Sequence, residues 1–282
     1  MSYLRQGDSP LNYNLCRYHD SKLMFRGPRR QLYGDYAAFL GATETYGKFI
    51  AHPFPELIEV QTGMKCVNFG WPNAGVDAFL NDPGVIQAAN GARVTVLQVP
   101  CVQNMTNRYY TVHPRRNDRF LQASDLLRDL YDEVDFTDFH FTRHMLGHLA
   151  ETRPKQFTII REKLQAVWIS RMNMLLQRIN VPVILLWFSS RTPDEAVSSL
   201  NVSDDPVFVT REMIEALRPV VSSIAEATAS NAALSQGSNG MVFSDIEAPA
   251  AMKLLGPAAH QEVAEMLSPL MAEFTVQNKR PA

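Results

Sequence analysis

Apolar positions along the chain fall into short unbroken runs separated by longer stretches with helical spacing. Tyr36–Gly41 (YAAFLG), Lys65–Gly70 (KCVNFG), Arg93–Val99 (RVTVLQV), Val181–Phe188 (VPVILLWF) and Pro219–Ala225 are the runs. Continuous apolar runs of this length suit parallel strands buried on both faces. Between the first three lie Pro55–Thr62 and Val76–Asn90, whose apolar residues recur with helical period. Such alternation predicts right-handed βαβ crossovers in a doubly wound sheet, hence an α/β, flavodoxin-like three-layer α/β/α fold with a parallel five-stranded sheet.

The rest of the chain departs from that alternation. Residues 1–34 are polar, rich in turn formers and carry Arg26, Arg29 and Arg30 in FRGPRR; they predict an arm lying on a main domain of residues 35–282. The gap between the third and fourth runs exceeds what a crossover helix needs, and predicts a helical insertion at about 105–180. Ser124–Leu130, Phe139–Glu151 and Pro154–Ile179 are its helices, the last with Pro154 in its first turn and a stripe of Leu164, Val167, Trp168, Met172, Leu175 and Leu176. Residues 192–206 and 230–240 read as loops, and Ala259–Phe274 as a closing amphipathic helix.

Composition narrows the function classes. With 282 residues, 46% hydrophobic and 20% charged, the chain can bury a large core. A net charge of −2 supplies no global field for nucleic acid or an anionic membrane, so neither is an expected partner. Cys16, Cys66 and Cys101 match neither a zinc knuckle nor a CxxC motif and read as reduced thiols. The first residues lack a secretory apolar core and no window reaches the ~18 apolar residues of a membrane span, so a cytoplasmic protein is expected.

In an open α/β sheet the ligand crevice lies at the carboxyl ends of the strands. The segments there are Gly41-Ala42-Thr43-Glu44-Thr45-Tyr46-Gly47, Gly70-Trp71-Pro72-Asn73-Ala74-Gly75 and Gln103-Asn104-Met105-Thr106-Asn107-Arg108, with Gly256-Pro257-Ala258-Ala259-His260 before the last helix. A hydroxyl on a strand-to-helix turn, free amides on a glycine-containing turn, an asparagine and a histidine together suit acyl transfer. Thr43 has three open roles: nucleophile, ligand contact or helix N-cap. Asn104 is an oxyanion donor or a turn former, and His260 a base or a structural histidine.

These blocks resemble the SGNH (GDSL-like) hydrolase superfamily. FLGATETYGKF is similar to its first block, with Thr43 at the serine position, Thr45 and Gly47 matching, and Ala42 replacing the aspartate. CVNFGWPNAGVDAFL is similar to the second, with Asn73 or Gly75 at the oxyanion position, and VTVLQVPCVQNMTN to the third, with Val102 for glycine and Asn104 for asparagine. Pro257 stands where the last block has its aspartate, three residues before His260, leaving Asp245 and Glu247 as the nearest acids. The resemblance implies an esterase or acyl transferase acting on an acyl ester of a polar or anionic, glycan-like substrate. Thr43 would be nucleophile and His260 base, with Gly75 and Asn104 in the oxyanion hole and Asn73, Glu44, Thr45, Asn107, Arg115, Arg116 and Tyr109 around the substrate. The alternative is a catalytically degenerate SGNH-like fold that binds an anionic polysaccharide or a protein partner. The whole chain also resembles a bacterial family of similar length, with no activity attached, that carries FRGPRR, ETYGKF, HPRRNDRF and HFTRH.

Three further clusters carry candidate chemistry. His140, His144 and His148 at i, i+4, i+8 would stack on one helix face, as metal ligands or, beside Phe139, Phe141, Met145 and Leu149, as packing residues. Packing is preferred and no metal is expected. Arg115, Arg116 and Arg119 bind an anion or pair with Asp118, Asp125 and Asp129, and Arg29 and Arg30 could join them. Trp71, Tyr109 and Tyr110 stack on a sugar or acyl chain, or fill the core. Without a P-loop or G-x-G-x-x-G turn, no cofactor is implied.

Overall fold

The computed structural model describes residues 10–195 and 202–276. Its strands, in chain order, are β1 (Tyr36–Gly41), β2 (Lys65–Gly70), β3 (Val94–Gln98), β4 (Tyr110–His113), β5 (Arg116–Ala123), β6 (Val183–Ser189) and β7 (Ser223–Thr228). The helices are α1 (Thr43–Tyr46), α2 (Phe54–Thr62), α3 (Val76–Leu80), α4 (Pro83–Asn90), α5 (Asp125–Leu130), α6 (Thr142–Thr152), α7 (Pro154–Arg178), α8 (Arg211–Glu215), α9 (Asn231–Gln236), α10 (Ala248–Ala251) and α11 (Pro257–Val276).

Five strands form one parallel sheet in the order β2-β1-β3-β6-β7. Ala37 is in register with Cys66 on one side and Val94 on the other, Thr95 with Val183, and Ile184 with Ser223. Successive side chains divide between two apolar layers. Ala38 and Leu40 join Val67, Leu97 and Leu185 on one face, while Ala37 and Phe39 join Val96, Ile184 and Leu186 on the other. Burial on both sides is why the central strands are unbroken apolar runs, whereas the edge strand β7 buries only Ala225 and Ala227. α2 and α11 cover the second face with Phe54, Ile58, Val263, Leu267 and Met271. α3, α4 and α7 cover the first, where Trp168 is fully buried and its indole N–H donates to the Pro100 carbonyl at 3.1 Å. The α/β fold with a five-stranded parallel sheet flanked by helices is therefore the one expected.

Some elements differ from expectation. The insertion is not wholly helical: β4 and β5 form an antiparallel hairpin with an irregular register before α5, α6 and α7. β4 alternates buried and exposed residues but β5 does not, so the pair has no clean period for the sequence to show. Val76–Asn90 splits into α3 and α4 because Asp82 starts a new helix: its carboxylate accepts from the Val85 N–H at 3.1 Å, and Pro83 takes the first turn. The last strand begins at Ser223 rather than Pro219, which lies in a 3-10 turn and has no N–H for a ladder. α6 begins at Thr142, so His140 lies outside it and the histidine stripe is not continuous.

The arm segment within the described residues closes on the first apolar layer. Tyr18, Leu23 and Phe25 are buried, and the rings of Tyr18 and Phe25 meet Phe69 at 5.0 and 5.3 Å. Arg26 donates to the carbonyls of Gly47, Ile50 and Ala51 at 2.6–2.8 Å, anchoring the loop after α1. Arg30 pairs with Glu59, so it is not part of an anion site with Arg115 and Arg116.

Candidate functional site

The strand order reverses between β1 and β3, so the crevice expected for such a sheet opens beyond their carboxyl ends. Three loops meet there. Thr43, 8% exposed at the start of α1, accepts a hydrogen bond from the Asn73 N–H at 3.0 Å and donates from its hydroxyl to Asn73 Oδ1 at 3.2 Å. Asn73 Nδ2 donates onward to the Asp118 carboxylate at 3.3 Å. Asn104 Nδ2 donates to the Asn73 carbonyl at 3.1 Å, and Asn104 Oδ1 accepts from the Thr142 hydroxyl at 3.0 Å. The first three sequence blocks are thus brought together.

Backbone constraints hold this arrangement. Asn73 has φ 57°, a left-handed conformation that asparagine tolerates well. Gly75 cannot be replaced without movement, since a Cβ there would lie 1.6 Å from the Asn104 carbonyl oxygen. Its N–H donates to Asn117 Oδ1 at 3.0 Å and so is already paired. Gln98, at the end of β3, organises α1: its Oε1 accepts from the Ala42 and Thr45 N–H groups and from the Thr45 hydroxyl, and its Nε2 donates to Glu44 at 2.9 Å.

Around this knot lies a cleft of about 1070 Å³. Glu44, Asn104, Asp118, Thr142, Arg143 and Asp205 line it, with the Phe141 and Phe188 rings. Burial, then the nearby Asp205 charge, push the Glu44 carboxyl above its usual range. Burial also raises Asp118, against the pull of Arg116. Arg143 pairs with Asp205, which in addition accepts from the Cys101 thiol at 3.0 Å.

His260 is elsewhere. It is 1% exposed, its Nδ1 accepts from the Phe54 N–H at 3.2 Å, and its ring packs on Phe54 and Phe188 at 5.9 and 5.3 Å. Burial, with Arg26 adding to it, pulls its pKa down to about 3. The base expected for Thr43 is not hydrogen-bonded to it here: the Thr43 hydroxyl pairs with Asn73, while the imidazole belongs to the apolar layer behind Phe188 and is held by a backbone amide. Nor does an acid orient it among the described residues; the Glu247 carboxylate is taken by the Ser244 N–H and hydroxyl.

Several residues expected around the substrate have structural places instead. Thr45 is fully buried against Gln98. Tyr109 is 5% exposed in the core, and Tyr110 1%. Asn107 caps its own turn, accepting from the Tyr109 N–H at 2.9 Å. Arg115 and Arg116 lie exposed on the β4–β5 turn, where their N–H groups donate to His113 Nδ1, and neither lines the cleft. Arg115 instead borders a separate groove with Lys22 and Arg171. His144 and His148 pack on Phe139. Glu44, Asn73 and Asn104 do line the cleft. Sequence reasoning missed Gln98, Gln103, Arg143 and Asp205 as site residues, although the singled-out HFTRH segment holds Thr142, Arg143 and His144 and HPRRNDRF holds Asn117 and Asp118.

Fold and site define a doubly wound α/β protein with a polar cleft at its topological switch point. The chain belongs to the family described as "Domain of unknown function (DUF6473)", whose model matches residues 1–275. No curated protein matches it. Among solved structures it is similar to a lipase from a goat rumen metagenome, with 12% identity, a TM-score of 0.45 and coverage of 85% of this chain and 97% of that one. It is also similar to a gut microbial diltiazem-metabolizing enzyme, with 14% identity, TM-score 0.41 and coverage of 85% and 47%. A third is an alpha/beta hydrolase from the metagenome of Lake Arreo, Spain, with 12% identity, TM-score 0.38 and coverage of 87% and 97%. At these values the likenesses carry nothing about site or activity. No helix among the described residues is long and apolar enough to cross a membrane.

Proposed function

We propose that the strand-end cleft binds a polar small molecule or glycan and does not cleave an ester through Thr43. The observation that carries this reading is the chain Thr43–Asn73–Asp118. It has the form of a hydroxyl–base–acid relay with a carboxamide in the middle. A carboxamide accepts a hydrogen bond but takes up no proton at neutral pH, so this chain orients the Thr43 hydroxyl without ionising it. The Asn73 and Gly75 N–H groups that would stabilise an oxyanion, and one of the two Asn104 Nδ2 hydrogens, are also already given to protein acceptors. An SGNH-like architecture with a degenerate reaction centre accounts for both the converging blocks and their internal pairing.

The second reading, ester cleavage by Thr43, is favoured by that same convergence at the switch point. Hydrolysis of p-nitrophenyl acetate separates the two. Wild-type protein and Thr43→Ala are expected to release nitrophenol at equal rates. A loss of about 10²-fold or more in the variant, the scale of a lost catalytic group, would restore the esterase reading.

A further inference from the structure

The cleft is rich in acceptors and short of cations. Glu44, Asp118, Asp204 and Asp205 all line it, against Arg143 and Lys253. Arg143 is committed to the Ser203 carbonyl, at 2.9 Å, and to Asp205, while Lys253 stands exposed at the rim. Arg116 and Arg119 act on Asp118. Glu44 accepts from Gln98 Nε2 and feels Arg143 only through space, with no direct ion pair among the described residues.

A second observation points the same way. Gln103 lines the cleft, is 2% exposed, and its buried Oε1 has no hydrogen-bond partner. A buried acceptor left unpaired is costly, and a ligand N–H or O–H would pair it. A neutral polyol could satisfy Gln103 but does nothing for the excess of acidic over basic side chains in the lining, and an acidic ligand would add to that excess. A divalent ion would compensate the charge, yet no group of three or more His, Cys, Asp or Glu side chains among the described residues is disposed to hold one.

Resting on the reading of the cleft as a polar-ligand site, we propose that its occupant carries a protonated primary amine among hydroxyls, as an aminated sugar does. The ammonium faces the Glu44 and Asp205 carboxylates, and a ligand hydrogen is donated to Gln103 Oε1. Phe141 and Phe188 supply apolar surface for the carbon face of the ring.

Three β-1,4-linked tetrasaccharides that differ only at C2, bearing amine (glucosamine), acetamide (N-acetylglucosamine) or hydroxyl (glucose), test this by calorimetric titration of the full chain. The glucosamine tetramer is expected to bind at least about tenfold more tightly than the other two, on the scale of one charge-assisted hydrogen bond. That preference should vanish in Glu44→Gln, a near-isosteric change, and weaken in Gln103→Leu, each checked for folding by its melting transition. Equal binding of all three would overturn the amine while leaving a polar-ligand cleft. Binding of none, or an amine preference untouched by both variants, would also overturn the proposal. Only a Thr43-dependent esterase activity would remove the reading beneath it.

Discussion

Glu44, half-buried, and His260, fully buried, are ionisable groups near the carboxyl ends of the sheet with opposite surroundings. His260 meets two phenylalanine rings and one backbone amide, with Arg26 as its nearest charge influence. Its charged form therefore has neither water nor an anion to stabilise it. Glu44 meets the Gln98 amide and opens to a cleft that also holds Asp205 and Arg143. Both are driven toward their neutral forms by burial, but only Glu44 lines a cleft. A shifted pKa marks a functional group when a cleft reaches it, and marks core packing when none does.

Removing the wall between the two regions should break the contrast most. Phe188 is 3% exposed, packs on His260 and lines the cleft. Phe188→Ala is expected to cost about 3–5 kcal/mol in denaturant unfolding. It should also let water reach His260 and bring its pKa back toward 6.5, read from the imidazole proton shifts by NMR. An unchanged titration would mean that Phe188 is not the barrier.

A smaller effect follows from His260 itself. The imidazole is neutral in the fold to about pH 3, whereas in the unfolded chain it protonates near 6.5. Because the folded pKa is the lower one, its contribution to stability is fully present above pH 6.5 and is lost as pH falls from there toward 3. The slope approaches about 1.4 kcal/mol per pH unit. Unfolding free energies measured between pH 7 and 4.5 should show this loss in wild type and a flatter profile in His260→Gln. Parallel profiles would place the acid sensitivity elsewhere.

Much of this was readable beforehand, for physical reasons. Buried parallel strands show as apolar runs, so β1 and β2 matched residue for residue and β3 and β6 to within two residues. The hairpin did not, because a half-buried pair of short strands around an arginine turn shows neither a long run nor a clean period. Loops leaving adjacent strands must meet at the switch point, which is why Thr43, Asn73 and Asn104 were placed together from sequence order. His260 comes from outside those loops, and its depth depends on how α11 is rotated. Ala259, Val263 and Ala264 around it are the buried face, a signal that spacing from Pro257 hides. Gln98, Arg143 and Asp205 are single polar residues far apart in sequence, with no motif to join them before the chain folds.

The Thr43 hydroxyl is held by Asn73, and in the proposed reading it is not activated. Incubating the protein with a fluorophosphonate ester and mapping the modified peptides by mass spectrometry tests it most directly, since only an activated hydroxyl attacks phosphorus. No adduct is expected on the peptide containing Thr43 under conditions that fully label a serine esterase. A stoichiometric adduct on Thr43 would contradict that reading.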